Sequence, residues 1–148
     1  MKLFDVNVLI YAHRSDQPEH AFFRDYLNDQ INTLNSFALS PLVAAAFVRI
    51  VTNPRFPNGP TPLAQALATI DAISALERCY WVGPGPRHWE LTTHLCRRCN
   101  SVGKQVADAQ HAAIAIEHSC VWVTRDRDFA AFTPFGLQLE TVAPRLGS

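Results

Sequence analysis

Short apolar runs alternate with longer stretches whose apolar residues recur every three or four positions, and the alternation persists along the chain. Leu3-Phe4-Asp5, followed by Val6, Val8, Leu9 and Ile10, predicts a short buried strand running into a helix that ends near His13 to Asp16. Asp5 then stands at the C-terminal end of that strand. From Pro18, the spacing of Ala21, Phe22, Tyr26, Leu27 and Ile31 predicts an amphipathic helix with proline in its first turn and Glu19 near its positive end. Phe37-Ala38-Leu39 reads as a strand. Ser40 reads as the cap of a helix from Pro41 to about Val51 that stops before Asn53-Pro54.

Pro57-Asn58-Gly59-Pro60 is a loop, and Thr61-Pro62 opens a helix whose apolar positions are Leu63, Ala66, Leu67, Ile70 and Ile73. Tyr80-Trp81-Val82 is a strand, cut off by Gly83-Pro84-Gly85-Pro86. Trp89, Leu91, Leu95 and Cys96 mark a helix ending near Asn100 to Gly103, and Val106 to His118 is helical by its alanines and isoleucines. Cys120 to Thr124 is the clearest strand; a single helical turn at Phe129 to Phe132 and a last strand around Leu137 to Glu140 follow. Strands alternating with helices place the chain in the α/β class, with a central, mostly parallel sheet flanked by helices on both faces. No repeat, linker or low-complexity stretch interrupts it, so a single domain over residues 1–148 is expected.

Composition narrows the function. Apolar residues make up 48% of the 148, enough for one sizeable core. The 13 basic and 13 acidic residues balance, which excludes a strong positive field acting unselectively on nucleic acid; such contact must come from local patches. No apolar run is long enough to span a bilayer and the N-terminus does not read as a signal peptide, so a cytoplasmic protein with no membrane partner is expected. Cys79, Cys96, Cys99 and Cys120 are too few and too irregular for a disulfide framework, and reduced thiols are expected. Cys96-x-x-Cys99, with His94 nearby, has no second pair to complete a closed zinc site.

Ligands of parallel α/β sheets bind beyond the carboxyl ends of the strands, so acids just after strands carry weight. Asp5 and Asp126 meet that condition. Asp108 is expected in the first turn of an alanine-rich, closely packed helix, where a helix dipole stabilises its charge. Singly, each has an ordinary explanation: Asp5 and Asp108 as helix caps, Asp126 as the start of a turn. Together they fall where one end of a parallel sheet can collect them, and no basic residue adjoins Asp5 or Asp108 in sequence. Gathered carboxylates repel and take up protons unless a cation joins them, and hard oxygen donors suit Mg2+ or Mn2+ better than zinc.

Three segments then carry a resemblance. Phe4 to Ala12, the Val106-Ala107-Asp108-Ala109 helix start and Thr124-Arg125-Asp126-Arg127-Asp128-Phe129 resemble PIN domains, and more narrowly the VapC-type toxins of bacterial toxin-antitoxin modules. Phe47 to Arg55 and Pro86 to Trp89 resemble one branch of these, so the similarity spans essentially the whole chain. The resemblance implies a PIN-like fold, metal-dependent RNA cleavage, a cognate antitoxin whose tail occupies the active-site groove, and commonly a homodimer. It assigns Asp5 and Asp108 as the main metal ligands, Asp126 as completing the site, Asn7 and Thr124 as groups orienting carboxylates or water, and Asp128 as a weaker candidate. In one respect the chain departs from the pattern: most PIN domains carry a glutamate on the helix expected at 41–51, where Pro41 and Ala46 stand here.

A metal on Asp5 and Asp108 would generate the nucleophile without a catalytic histidine or serine, leaving 5'-phosphate and 3'-hydroxyl ends. Arg14, Arg49, Arg55, Arg125 and Arg127 are candidates for gripping substrate, with solvated surface or antitoxin contact as the ordinary alternative; Arg97-Arg98 reads as a polar helix face. His111 and His118 read as surface or core residues, His111 also as a possible groove residue. Trp81, Trp89 and Trp122 read as core. Two other functions compete. A haloacid-dehalogenase-type phosphatase is disfavoured because Asn7 stands where its second aspartate belongs. A silent PIN-like module that only binds an antitoxin-like partner is motivated by the missing glutamate.

Overall fold

The computed structural model describes residues 1–145. Five parallel strands, β1 (Lys2–Phe4), β2 (Phe37–Leu39), β3 (Cys79–Trp81), β4 (Val121–Thr124) and β5 (Gln138–Thr141), lie in the order β3-β2-β1-β4-β5. Between them run α1 (Val6–His13), α2 (His20–Thr33), α3 (Pro41–Val51), α4 (Leu63–Ser74), α5 (His88–Cys99) and α6 (Lys104–Glu117), and a 3-10 segment, Arg127–Phe135, precedes β5. The expected α/β architecture is therefore present, and every strand pairing is parallel.

The central strands are apolar because both of their faces are covered. Leu3 pairs with Ala38 on one side and Trp122 on the other, Phe4 pairs with Val123, and all are buried. The edge strands are shallower: Tyr80 is exposed, and Trp81 is 50% exposed. Helices α1 to α4 pack as one group, while α5, α6 and the 3-10 segment form a second. Local chemistry sets several boundaries. Ser40 Oγ accepts from Leu42 N–H at 3.2 Å with Pro41 at the first helical position, as expected from sequence. Asn100 closes α5 in the left-handed conformation, and Gly103, at φ 58°, turns the chain directly into α6.

Several expectations shift. Gly103 lets α6 begin at Lys104, so Asp108 lies in its second turn, past the strongest reach of the helix dipole; Val106 and Ala107 are exposed rather than closely packed. The single turn expected at Phe129 to Phe132 is part of a longer 3-10 stretch that contains Pro134. Trp122 is fully buried, as expected. Trp81 and Trp89 are not core: Trp89 is 72% exposed. All four cysteines are free and buried or half-buried.

The strand order places one feature of consequence. From β1 the chain steps outward to β2 and β3, then crosses back to build β4 and β5 on the other side. Adjacent β1 and β4 thus form the switch point at which open parallel sheets form a ligand crevice.

Trp122 packs against His111 and Phe129 at the centre of this arrangement. Trp122→Ala should cost about 3–5 kcal/mol, a fall in Tm of roughly 10 °C or more in thermal denaturation. A fall of only one or two degrees would contradict the packing described.

Candidate active site

Asp5 follows β1 directly, and its backbone N–H donates to Val123 O at 2.8 Å, extending the β1–β4 ladder by one step. This pins its side chain at the switch point, where it is only 5% exposed. One carboxylate oxygen, Oδ1, accepts from Val6 N–H at 2.6 Å, so Asp5 does cap α1. The other, Oδ2, accepts from Thr124 Oγ1 at 2.7 Å and from Asn7 Nδ2 at 3.3 Å. Capping and a functional role are compatible, since each carboxylate oxygen retains acceptor capacity.

Thr124 and Asn7 knit the crevice. Asn7 Nδ2 also reaches Thr124 Oγ1, at 3.2 Å, and Asn7 Oδ1 accepts from Arg125 N–H at 3.2 Å. Thr124 Oγ1 accepts in turn from Asp126 N–H at 2.9 Å. These bonds join the turn after β1 to the turn after β4 and fix where Asp126 begins. Asp126 Oδ1 accepts from Asp128 N–H at 2.8 Å, which starts the 3-10 segment and leaves Oδ2 free to face Lys104.

The third carboxylate arrives on α6. Lys104 Nζ lies 3.8 Å from Asp108 Oδ2 and 3.5 Å from Asp126 Oδ2, joining the second and third acids through one ammonium. Asp108 and Asp126 both act through space on Asp5. The structure thus brings Asp5, Asp108 and Asp126 into one electrostatic neighbourhood from three distant stretches of sequence. Asp128 contributes to the field on Asp108 and Lys104, and with Asp108 it lines a small cavity of about 60 Å³ beside Cys99 and Ser101.

Burial, reinforced by the charges of Asp108 and Asp126, pushes the Asp5 carboxyl up to about 6, against the pull of its bonds from Thr124 and Val6. Asp108 is also raised, chiefly by burial, with Lys104 pulling the other way. Lys104 is raised in response, first by Asp108. The donors are hard oxygens, and a cationic side chain already sits between two of them; both features fit a divalent cation such as Mg2+ or Mn2+. As the side chains stand, no group of three or more His, Cys, Asp or Glu among the described residues could hold a metal ion. Helix α3 carries no acid at all, so Pro41 and Ala46 add nothing to the set.

Lys104 is the site residue that sequence reading missed. No base neighbours Asp108 directly, yet one stands four residues earlier, which on a helix is the same face; that spacing was the available signal. The arginines divide into two sets. Arg14 is tied to Asp16 at 2.7 Å and Thr61 at 3.1 Å and lies over the Phe56 ring, and Arg125 makes a two-pronged pair with Glu19 at 2.8 and 3.0 Å. Both serve the scaffold rather than standing free for substrate. Glu19, expected at the positive end of α2, serves as the Arg125 partner. Arg49, Arg55 and Arg127 are exposed, with no side-chain bond among the described residues. His111 does not line the crevice: it stacks on Trp122, and burial lowers its pKa to about 4.

Comparison with known proteins finds the same fold and close relatives. The PIN domain family model matches residues 2–133. Ribonuclease VapC25 of Mycobacterium tuberculosis is 41% identical over 132 residues, which cover 89% of this chain and 93% of that protein. Ribonuclease VapC43 of the same species is 39% identical over 132 residues, covering 89% and 90% respectively. In the solved structure of VapBC2 from Rickettsia felis bound to a DNA fragment from its promoter, a chain 17% identical superposes with a TM-score of 0.70 over 96% of this chain and 98% of its own. VapC20 of M. tuberculosis, described as a sarcin-ricin loop cleaving toxin, is 15% identical and superposes at 0.68 over 97% and 100%. A sheet with its acids at the β1–β4 switch point, a domain model spanning most of the chain and relatives near 40% identity have one reading: the chain belongs to the PIN-domain family, among the VapC proteins.

Proposed function

We propose that this protein is a metal-dependent endoribonuclease and the toxin of a type II toxin-antitoxin module, with Asp5, Asp108 and Asp126 as the residues that hold Mg2+ or Mn2+. The ribonuclease names of relatives about 40% identical support the hydrolase activity. The observation that carries the site assignment is the convergence of three carboxylates on the switch point, one of them driven toward protonation by its burial, with the charges of the other two adding to the push.

Asp5, Asp108 and Asp126 would hold such a cation, and the chemistry it would supply is polarisation of the scissile phosphate and a water that gives up a proton near neutral pH to serve as nucleophile. The chain's own residues do the rest. Thr124 and Asn7 hold the Asp5 carboxylate in one orientation, so a cation meets a preset oxygen. Asp126 is held by the Thr124 hydroxyl at its own N–H, and Asp108 by the rigid second turn of α6. Arg49, Arg55 and Arg127 are the guanidinium groups available to RNA phosphates. The balanced net charge makes these local contacts, rather than a general field, the means of grip.

The partner is a cognate antitoxin, a reading supported by the VapBC complexes among the structural neighbours. An apolar cleft of about 270 Å³ lined by Leu9, Leu27, Phe47, Ile70 and Ile73 offers burial for apolar side chains of such a partner. A homodimer is part of the same proposal. No helix among the described residues is long and apolar enough to cross a membrane.

Purified protein incubated with RNA and Mn2+ should cleave it, leaving 5'-phosphate ends, and EDTA should abolish cleavage. Asp108→Asn should lower the rate at least about 100-fold with the circular dichroism spectrum unchanged. Cleavage that persists in chelator, or that neither Asp5→Asn nor Asp108→Asn reduces, would contradict the proposal.

A second expectation concerns stability in the absence of metal. The Asp5 carboxyl titrates near 6 when folded and near 3.8 when unfolded, so folding favours its protonated form. Ionised Asp5 therefore costs the folded chain about 3 kcal/mol above pH 6, and nothing once pH falls below the unfolded value. In EDTA at pH 7.5, Asp5→Asn should melt several degrees above the wild type, and the gap should close toward pH 4. A gap of constant size, or one of opposite sign, would count against this cost of burying an ionised Asp5.

A further inference from the structure

Lys104 is the one cationic side chain among the described residues paired with the site's acids. The arginines that flank Asp126 in sequence do not pair with it: Arg125 is spent on Glu19, and Arg127 makes no side-chain bond among the described residues. The ammonium faces Oδ2 of both Asp108 and Asp126, at 3.8 and 3.5 Å. Its side chain is 75% exposed, so it holds this position by charge rather than by packing. As the first residue of α6, with most of its side chain in solvent, it has room to swing outward.

We propose that Lys104 is an intramolecular counter-cation that competes with the divalent metal for Asp108 and Asp126, setting how much metal the site retains. This rests on the metal reading above. A divalent ion taking Oδ2 of either acid would stand where the ammonium now stands, and two cations a few ångströms apart repel. Binding of metal therefore displaces Lys104, whose exposed stem makes the displacement inexpensive. In the metal-free chain the same ammonium offsets the mutual repulsion of the acids and keeps α6 and the turn after β4 together. The α6 start assigns this function to one position. Gly103 at φ 58° places residue 104 one turn ahead of Asp108, the separation at which side chains on a helix meet.

The test is isothermal titration calorimetry of Mn2+ into the full chain, run on wild type, Lys104→Gln, Lys104→Arg and Asp108→Asn. Lys104→Gln should bind Mn2+ about two- to fivefold more tightly than wild type, the scale of ion pairs made in a largely exposed setting. Lys104→Arg, which keeps the charge, should stay near the wild-type value. Melting curves give an independent readout: Lys104→Gln should lose about 1–4 °C of Tm in EDTA and recover it in saturating Mn2+. Unchanged or weaker Mn2+ binding by Lys104→Gln, with binding still lost in Asp108→Asn, would overturn the role of Lys104 while leaving the metal site standing. Equal binding by wild type and Asp108→Asn, or no binding by any of the four, would overturn both.

Discussion

A carboxylate stripped of water in a crevice, with two further acids nearby, is the constraint on which this site depends. Asp5 is carried to the switch point by the last ladder bond of the β1–β4 pair, and it cannot retreat, because both of its carboxylate oxygens are fixed by hydrogen bonds. Asp108 and Asp126 arrive from other parts of the chain and raise the free energy of its charged form. A fold that only needed caps at these positions had no reason to bring them within range of one another. The unfavourable electrostatics are the physical content of the site, and they are the basis on which a cation-binding role is proposed for it.

The sheet supplies the rigidity that this arrangement requires. β1 and β4 are buried on both faces and run side by side, so the residues that follow them emerge at adjacent points. Thr124 links the two turns through one hydroxyl, donating to Asp5 and accepting from Asp126 N–H, while Asn7 braces both. Around the crevice, charged residues divide by task. Arg14 and Arg125 are consumed in holding loops, leaving Arg49, Arg55 and Arg127 toward solvent.

Much of the fold was readable in the sequence because its signals are local. The apolar triplets at β1 and β2, the Ser40-Pro41 cap and the run from Val121 to Thr124 each carry a period or a cap whose physics acts within a few residues. The acids at Asp5 and Asp126 were legible for the same reason, since each directly follows a strand. What escaped depended on geometry set at a distance or on backbone detail. The start of α6 turned on the positive φ of Gly103, and with it the place of Asp108 and the reach of Lys104. The exposure of Trp81 and Trp89 depends on β3 lying at the sheet's edge and on which face of α5 points outward, which side-chain type alone does not encode. The commitment of Arg125 to Glu19 joins residues more than a hundred positions apart.

The central claim, that three distant carboxylates share one cation, is open to direct observation by paramagnetic broadening. Substoichiometric Mn2+ added to the isotopically labelled chain should selectively broaden the amide signals of Asp5, Val6, Asp108 and Asp126 before those elsewhere, and this selectivity should vanish in Asp108→Asn. Broadening centred away from the switch point, or at Asp5 with the Asp108 signal untouched, would contradict the account.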